Sequence, residues 1–397
     1  MRNTRLLSIL RTAALASLLA ACGESAIEAD QQRLSNGARE AQGARSEGRA
    51  LGHAAGVMTR NLYLGADLGP AIGAPDLGSF VAATGGVLRQ VTATNFPVRA
   101  QGLATEILEL EPDLVGLQEV ALWRTGPASI APLLGAPKTA TIVRYDFLQL
   151  LLDELNAGGK TRYRAVVVQD EFDFEAPADE NGVAGDGPAP VVNAELNARL
   201  TMRDVILERT DGGVHTWAPA GESFDTLLTL PILGTPVSVT RGWTRVDARV
   251  RGGLPFRFVN THLEAFDPAA LRPSIRSLQA RELVAAGGPA TGKLPVVLVG
   301  DLNSDDDTVE SGDQQAYRAL LDAGLVERST ADPLSCCVDS YDLTTGSASE
   351  FDHQVDHVMT NAPELVRLVE SGVTGRTMAS GYWDSDHAGV WSALRMR

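Results

Sequence analysis

Val296-Val297-Leu298-Val299-Gly300-Asp301-Leu302-Asn303 is the stretch on which the reading of this chain turns. A short, continuous apolar run rich in β-branched residues reads as a strand covered on both faces. Here the run ends on Asp301 and Asn303, a carboxylate and a carboxamide. These groups bind hard cations, and carboxylates also move protons, so this strand end is a candidate site. The pattern recurs along the chain. Val57-Met58-Thr59-Arg60 closes on Asn61, and Leu114–Val120 carries Glu119. Phe258-Val259-Asn260-Thr261 closes on His262, and Asp356 and His357 sit inside Gln354–Met359. Ser385-Asp386-His387 precedes the last apolar run. A single His or Glu at a strand end is ordinarily solvated or structurally satisfied. Six such ends in one chain point to two facing sheets whose edges converge.

Strand patterns extend over Gly56–Leu64, Leu114–Val120, Tyr163–Gln169, Asp204–Arg209, Val237–Val250, Phe256–Leu263, Pro295–Gly300, Val355–Met359 and Gly389–Met396. Helical stripes cover Val98–Glu111, Tyr145–Ala157, Pro268–Ala286 and Gln314–Ala323. The mixture is α/β (α+β) in class: two packed mixed sheets flanked by helices, in one domain spanning residues 55–397. Gly65–Asn95 and Glu171–Val192 read as long inserted loops, the second an acidic one that is either a solvated flap or a specificity loop.

The N-terminus reads differently. Arg2, Arg5 and Arg11 precede an apolar stretch from Ala13 to Ala21, the pattern of a signal peptide over residues 1–21. Leu19-Ala20-Ala21-Cys22 resembles the lipobox of bacterial lipoproteins, which implies lipidation of Cys22 and a membrane anchor. Residues 22–54 lack an apolar period and read as a flexible tether. The expected location is the bacterial cell envelope, with the membrane face left open. Cys336 and Cys337 are adjacent and can form a vicinal disulfide or remain thiols. A formal net charge of -16 repels polyanions at long range and disfavours non-specific gripping of duplex DNA. A bound divalent metal can reverse that potential locally.

The segments from about Val57 to Leu394, in this order, resemble the endonuclease/exonuclease/phosphatase superfamily. That superfamily includes deoxyribonuclease I, exonuclease III, neutral sphingomyelinases and inositol polyphosphate 5-phosphatases. Gly300-Asp301-Leu302-Asn303 and Ser385-Asp386-His387 carry the resemblance most specifically. It implies a deoxyribonuclease I-like four-layer sandwich. It further implies Glu119 as principal metal ligand, Asn61 beside it and Asp386 in an outer contact, with Mg²⁺ as the ion and Mn²⁺ or Ca²⁺ as alternatives. By the same resemblance Asp301 is the general base and Asn303 steadies the attacking water. His387, polarised by Asp356, stabilises the transition state, and His262 contacts phosphate or serves the leaving group. The general acid stays open between the two histidines. Arg203-Asp204 matches a position where site residues occur, and Tyr163, Arg164 and Asp67 are possible neighbours. His357 reads as structural. Leu62-Tyr63-Leu64 departs from the family's pattern and argues against a second metal ligand after Asn61.

The expected function is metal-dependent hydrolysis of a phosphate ester outside the cytoplasm. The substrate could be a lipid headgroup, a nucleotide, a sugar phosphate or nucleic acid, and no protein partner is expected. An extracellular nuclease or a non-catalytic binding protein on the same fold are the alternatives. The binding-protein reading requires a lost catalytic position, and the set is complete. An EF-hand reading of the stretch from Asp301 fails, because position six is Asp306 and position twelve is Gly312.

Overall fold

A computed structural model describes residues 54–159, 162–266, 273–306, 314–329, 334–339 and 341–397. Cys22, the signal peptide and nearly all of the tether lie outside the described residues. Among the described residues no helix is long and apolar enough to cross a membrane.

The first sheet holds β1 (Ala54–Asn61), β2 (Leu114–Gln118), β3 (Leu122–Pro127), β4 (Ile142–Asp146), β5 (Tyr163–Ala178), β6 (Leu196–Arg209), β15 (Val366–Thr374) and β16 (Gly389–Met396). Its order is β15-β16-β1-β2-β6-β3-β4, with β5 paired along β6. The second sheet holds β7 (Val214–Ser223), β10 (Gly242–Val250), β11 (Pro255–His262), β12 (Val296–Asp301), β13 (Val326–Glu327) and β14 (Asp356–Thr360). Its order is β13-β14-β12-β11-β10-β7. Strands β8 (Leu228–Ile232) and β9 (Thr235–Val239) form a separate hairpin.

Strand β12 shows why a continuous apolar run was needed. Val297 and Val299 face the core between the sheets, packed with Val57, Leu114, Ile206, Phe256 and Val390. Val296 and Leu298 face the opposite way, into a second core with Ala280, Leu283, Ala316 and Leu320. Those four residues come from helices α5 (Ile275–Val284) and α6 (Gln314–Asp322). Helices α1 (Gly69–Ile72), α2 (Leu77–Ala93), α3 (Phe96–Leu110) and α4 (Phe147–Leu155) accompany the first sheet. Arg60, on the β1 face away from the intersheet core, pairs with Glu106 of α3 at 2.8 Å. The result is the expected four-layer α/β sandwich.

A buried polar bridge pins the sheets behind their converging ends. Gln118 Nε2 donates to Asn260 Oδ1 at 2.5 Å, and Asn260 Nδ2 donates to Leu117 O at 3.2 Å. Gly116 permits this approach, since a Cβ there would lie 2.5 Å from Asn260 Oδ1.

Three expectations need correction. Residues 65–95 are largely helical: Phe80, Val81, Thr84, Val87, Leu88 and Val91 make a buried stripe, and Asp76 Oδ1 caps α2 by accepting from Ser79 N at 2.8 Å. Interspersed Gly, Ala and Thr masked the period, and tertiary packing decided the outcome. The expected acidic flap begins as strand, because Glu171–Ala178 continues β5. There Glu175 is buried and accepts from Thr139 N, Ala140 N and Asn197 Nδ2. The single strand expected over Val237–Val250 is two, broken between β9 and β10, which belong to different sheets.

Candidate active site

Sheet register alone aligns three of the polar ends. His262 stands opposite Asp301 across the parallel β11–β12 pair, and Asp301 stands opposite Asp356 across β12–β14. In the first sheet Asn61 pairs with Gln118, the residue before Glu119. Facing sheets then bring the rows together: Asn61 Nδ2 donates to Asp301 Oδ2 at 2.9 Å, across the gap between them.

Asp301 is held from several sides. Its Oδ1 accepts from Asn303 N at 2.9 Å, and Asn303 adopts φ 46°, a left-handed conformation that Asn tolerates. Asn303 Nδ2 donates to Leu263 O at 3.1 Å. His262 Nε2 lies 3.5 Å and His387 Nε2 lies 3.8 Å from Asp301 Oδ2. Burial, only partly offset by His387, raises the Asp301 carboxyl above its usual range. A carboxylate so raised takes up a proton closer to neutral pH.

The two histidines are shifted in opposite directions. His262 Nδ1 accepts from the Arg241 guanidinium at 3.0 Å, which leaves Nε2 to carry the proton that faces Asp301. Burial and the Arg241 charge keep His262 well below its ordinary 6.5, hence neutral. His387 Nδ1 lies 2.8 Å from Asp356 Oδ2. Burial alone would depress His387, but Asp356 and Asp301 outweigh it and hold it well above 6.5, hence cationic. The Sγ atoms of Cys336 and Cys337, joined as a vicinal disulfide, each lie 3.8 Å from His387 Nε2.

The loop carrying Asp386 and His387 is anchored by buried cations. Arg60 Nη1 donates to His387 O, and Arg99 donates to Leu62 O at 2.7 Å and Asp384 O at 3.0 Å. Ser385 Oγ donates to Asn61 O at 2.9 Å, tying that loop to the end of β1.

A carboxylate cluster surrounds this centre. Glu119 sits at φ 55°, in the left-handed region that a side chain of its kind rarely occupies. Such strain of about 1–3 kcal/mol is kept where a side chain must be aimed. Its Oε2 accepts from Leu64 N at 2.7 Å, yet burial still raises its carboxyl. Burial pushes Asp386 up to about 6 and Asp204 up to about 8, with Glu119 and its neighbours adding repulsion. Asp204 Oδ2 and Asp356 Oδ1 are buried with no hydrogen-bond partner among the described residues. Crowded oxygen donors with unsatisfied buried atoms suit a hard divalent cation. Glu119 and Asp386, near enough to repel one another, could supply two such donors. Asp301, Asp356 and His387 offer atoms within 4.8 Å of one another, a possible Asp/His metal site, though the hydrogen bond between His387 and Asp356 already accounts for part of that closeness. Asn61 Oδ1 accepts from Tyr63 N at 2.8 Å, so it retains one lone pair for a cation.

Arg241 and Glu171 were not among the expected site residues. Arg241 stands alone before Gly242 with no pattern around it, and no sequence signal marks it. Glu171, raised to about 9 by burial and by Asp204, was hidden in the supposed flap. Of Arg203-Asp204, only Asp204 joins the cluster, while Arg203 donates to Val120 O at 2.9 Å and to Asp146 at 2.6 Å. Tyr163, Arg164 and Asp67 serve elsewhere: Tyr163 Oη bonds Pro112 O, Arg164 pairs with Glu208, and Asp67 accepts from Gly69 N. His357 is structural, bonded to Glu327 at 2.7 Å and Ser304 O at 2.9 Å.

No curated protein matches this chain. Solved structures of similar fold include an endonuclease/exonuclease/phosphatase from Beutenbergia cavernae, 19% identical over 87% of this chain and 72% of that one, with TM-score 0.47. A mannosyl-6-phosphatase from Bacteroides thetaiotaomicron is 15% identical over 86% and 99%, with TM-score 0.45. D. rerio TDP2, complexed with a single-strand DNA product, is 14% identical over 86% and 99%, with TM-score 0.46. Residues 77–387 match the sequence profile of the Endonuclease/Exonuclease/phosphatase family, a span that includes every polar strand end described above except Asn61. The chain belongs to the endonuclease/exonuclease/phosphatase family.

Proposed function

We propose that this protein hydrolyses a phosphate ester with the help of a divalent cation, Mg²⁺ first among the candidates, outside the cytoplasm and tethered through Cys22. The observation that carries the reading is the convergence on Asp301: His262 Nε2 and His387 Nε2 lie 3.5 Å and 3.8 Å from one carboxylate oxygen, and Asn61 of the facing sheet donates to that same oxygen. That arrangement suits attack by water on phosphorus. Asp301, oriented by Asn61 and Asn303, accepts the proton of the attacking water as the new P–O bond forms. His387, kept cationic by Asp356, faces the phosphoryl oxygens and stabilises the charge that develops on them. As the ester P–O bond breaks, a proton from His387 reaches the departing oxygen. Neutral His262 donates its Nε2–H to the phosphate. A cation held by Glu119 and Asp386 would supply further neutralisation of phosphoryl charge.

A panel of bis-p-nitrophenyl phosphate, p-nitrophenyl phosphate and plasmid DNA, assayed with Mg²⁺, Mn²⁺ or Ca²⁺ and with EDTA, tests the reading. Metal-dependent release of p-nitrophenol from either small ester is the expected result. Absence of turnover across the panel, with every metal, would count against catalysis and favour a binding role.

A further inference from the structure

A second feature opens directly beside the acidic cluster: a cavity of ≈160 Å³ that Glu119 and Arg241 line at its polar end. The rest of its wall is almost wholly apolar. Phe80 of α2 and Phe174 and Leu200 of the long β5–β6 pair form one side. Leu230, Ile232 and Val237 of the β8–β9 hairpin close the other. The hairpin turns tightly through Leu233 at φ 49° and Gly234 at φ 76°, the two-residue geometry that suits a right-twisted ribbon. It is paired to no strand of either large sheet. Its Ile232 and Val237 belong to one apolar cluster with Phe80, Phe174 and Ala176. Phe174 and Leu230 are only half-buried, although they lie within a concave apolar surface.

We propose that this cavity is a substrate subsite that takes an alkyl chain of about six carbons carried by the phosphate ester, with the phosphoryl group left at Asp301 and His387. The inference rests on the phosphoesterase reading and names the substrate class for that same site. Volume sets the chain length, since an apolar cavity of roughly 150 Å³ accommodates a six-carbon ring. Position sets the chemistry. Glu119 and Arg241 belong both to the cavity wall and to the acidic cluster, so one ligand can touch both. Composition favours an apolar chain, because the polar groups of a sugar entering this wall would lose their hydrogen bonds to water without replacement. An alkyl chain loses none.

The test is a chain-length series read in two ways. The kcat/KM for p-nitrophenyl alkyl phosphates from methyl to octyl is measured with Mg²⁺, and the Kd for the corresponding alkyl phosphonates is measured by calorimetry. Both are expected to improve by up to about fourfold per methylene as far as about six carbons, and then to level. Leu230→Asp and Val237→Ser, each checked for a cooperative melt, are expected to flatten that slope. Chain-independent kcat/KM and Kd in the wild type would overturn the subsite, as would a slope retained in both variants. If no ester were turned over but the phosphonate series kept its slope, the hydrolase reading would fail and the subsite would stand. A soluble ester and a membrane lipid present the same alkyl chemistry. Hydrolysis of monomeric dihexanoylphosphatidylcholine faster than of dioleoylphosphatidylcholine vesicles would identify the free ester as the source, and the reverse order the membrane.

Discussion

The acidic centre and the apolar cavity beside it share two residues but are built by different means. At the centre, positions are set by the backbone. Ladder register aligns His262, Asp301 and Asp356, and the polar bridge at Asn260 fixes the spacing between sheets. At the cavity, positions are set by side chains packing on added elements: helix α2, the extended ends of β5 and β6, and an isolated hairpin. Main-chain hydrogen bonds tolerate little displacement, whereas a packed hairpin can shift and repack. The proposed chemistry thus falls where the backbone sets positions and the proposed selectivity where side-chain packing does.

The sharpest way to break this comparison is to remove chemistry at the centre without disturbing the scaffold. Asp301→Asn should lower kcat by about 10²–10⁴ while the unfolding midpoint does not fall, because a buried, crowded carboxylate is removed. Steady-state kinetics alongside a denaturant melt checks both halves, and a collapsed melt with lost activity would show the residue to be structural instead. His357→Gln should do the reverse. It removes a buried cation paired with Glu327, costing about 3 kcal/mol of stability with little change in kcat. Here the sign follows from the two shifts. Burial opposes both charges, but each partner outweighs it, so His357 lies above its ordinary 6.5 and Glu327 below its ordinary 4.5. The pair's support is complete between those values. It fades as pH rises through the raised His357 value and as pH falls through the lowered Glu327 value. The wild-type and variant melts should therefore converge at alkaline pH.

Glu119→Gln should shift the Mg²⁺ activation curve to higher concentration by about tenfold or more. An unmoved curve would take Glu119 out of the ligand set. A smaller effect concerns the metal-free protein. Burial raises Asp204 to about 8 and Asp386 to about 6, so the folded state binds protons more tightly than the unfolded chain. Its stability should fall as pH rises from the ordinary 3.8 through those values. Added Mg²⁺ should therefore raise Tm more at pH 8 than at pH 5, and an equal gain at both would argue that the cation sits away from these carboxylates.

What could be read from the sequence follows the same division. Val296–Asp301 announced itself because a strand covered on both faces has to be apolar throughout, and its polar end then stands out. The same logic exposed Asn61, Glu119, His262, Asp356 and His387, which the fold brings toward one edge. Helix α2 was missed because a stripe of Phe80, Val81, Val87 and Leu88 is diluted by glycine and alanine, and only burial against β5 and β6 reveals it. Arg241 was missed because one arginine ahead of a glycine carries no period. Its role depends wholly on His262 arriving 3.0 Å away from a different strand. Residues chosen by backbone geometry left a pattern, and residues chosen by tertiary contact did not.

The most direct test is the rate of bis-p-nitrophenyl phosphate hydrolysis as a function of Mg²⁺, measured side by side for the wild type and Asp301→Asn. Saturable activation reversed by EDTA, with the variant at least about 10²-fold slower at saturating Mg²⁺, is the expected result. Equal rates in the two proteins, or a wild-type rate indifferent to EDTA, would contradict the account.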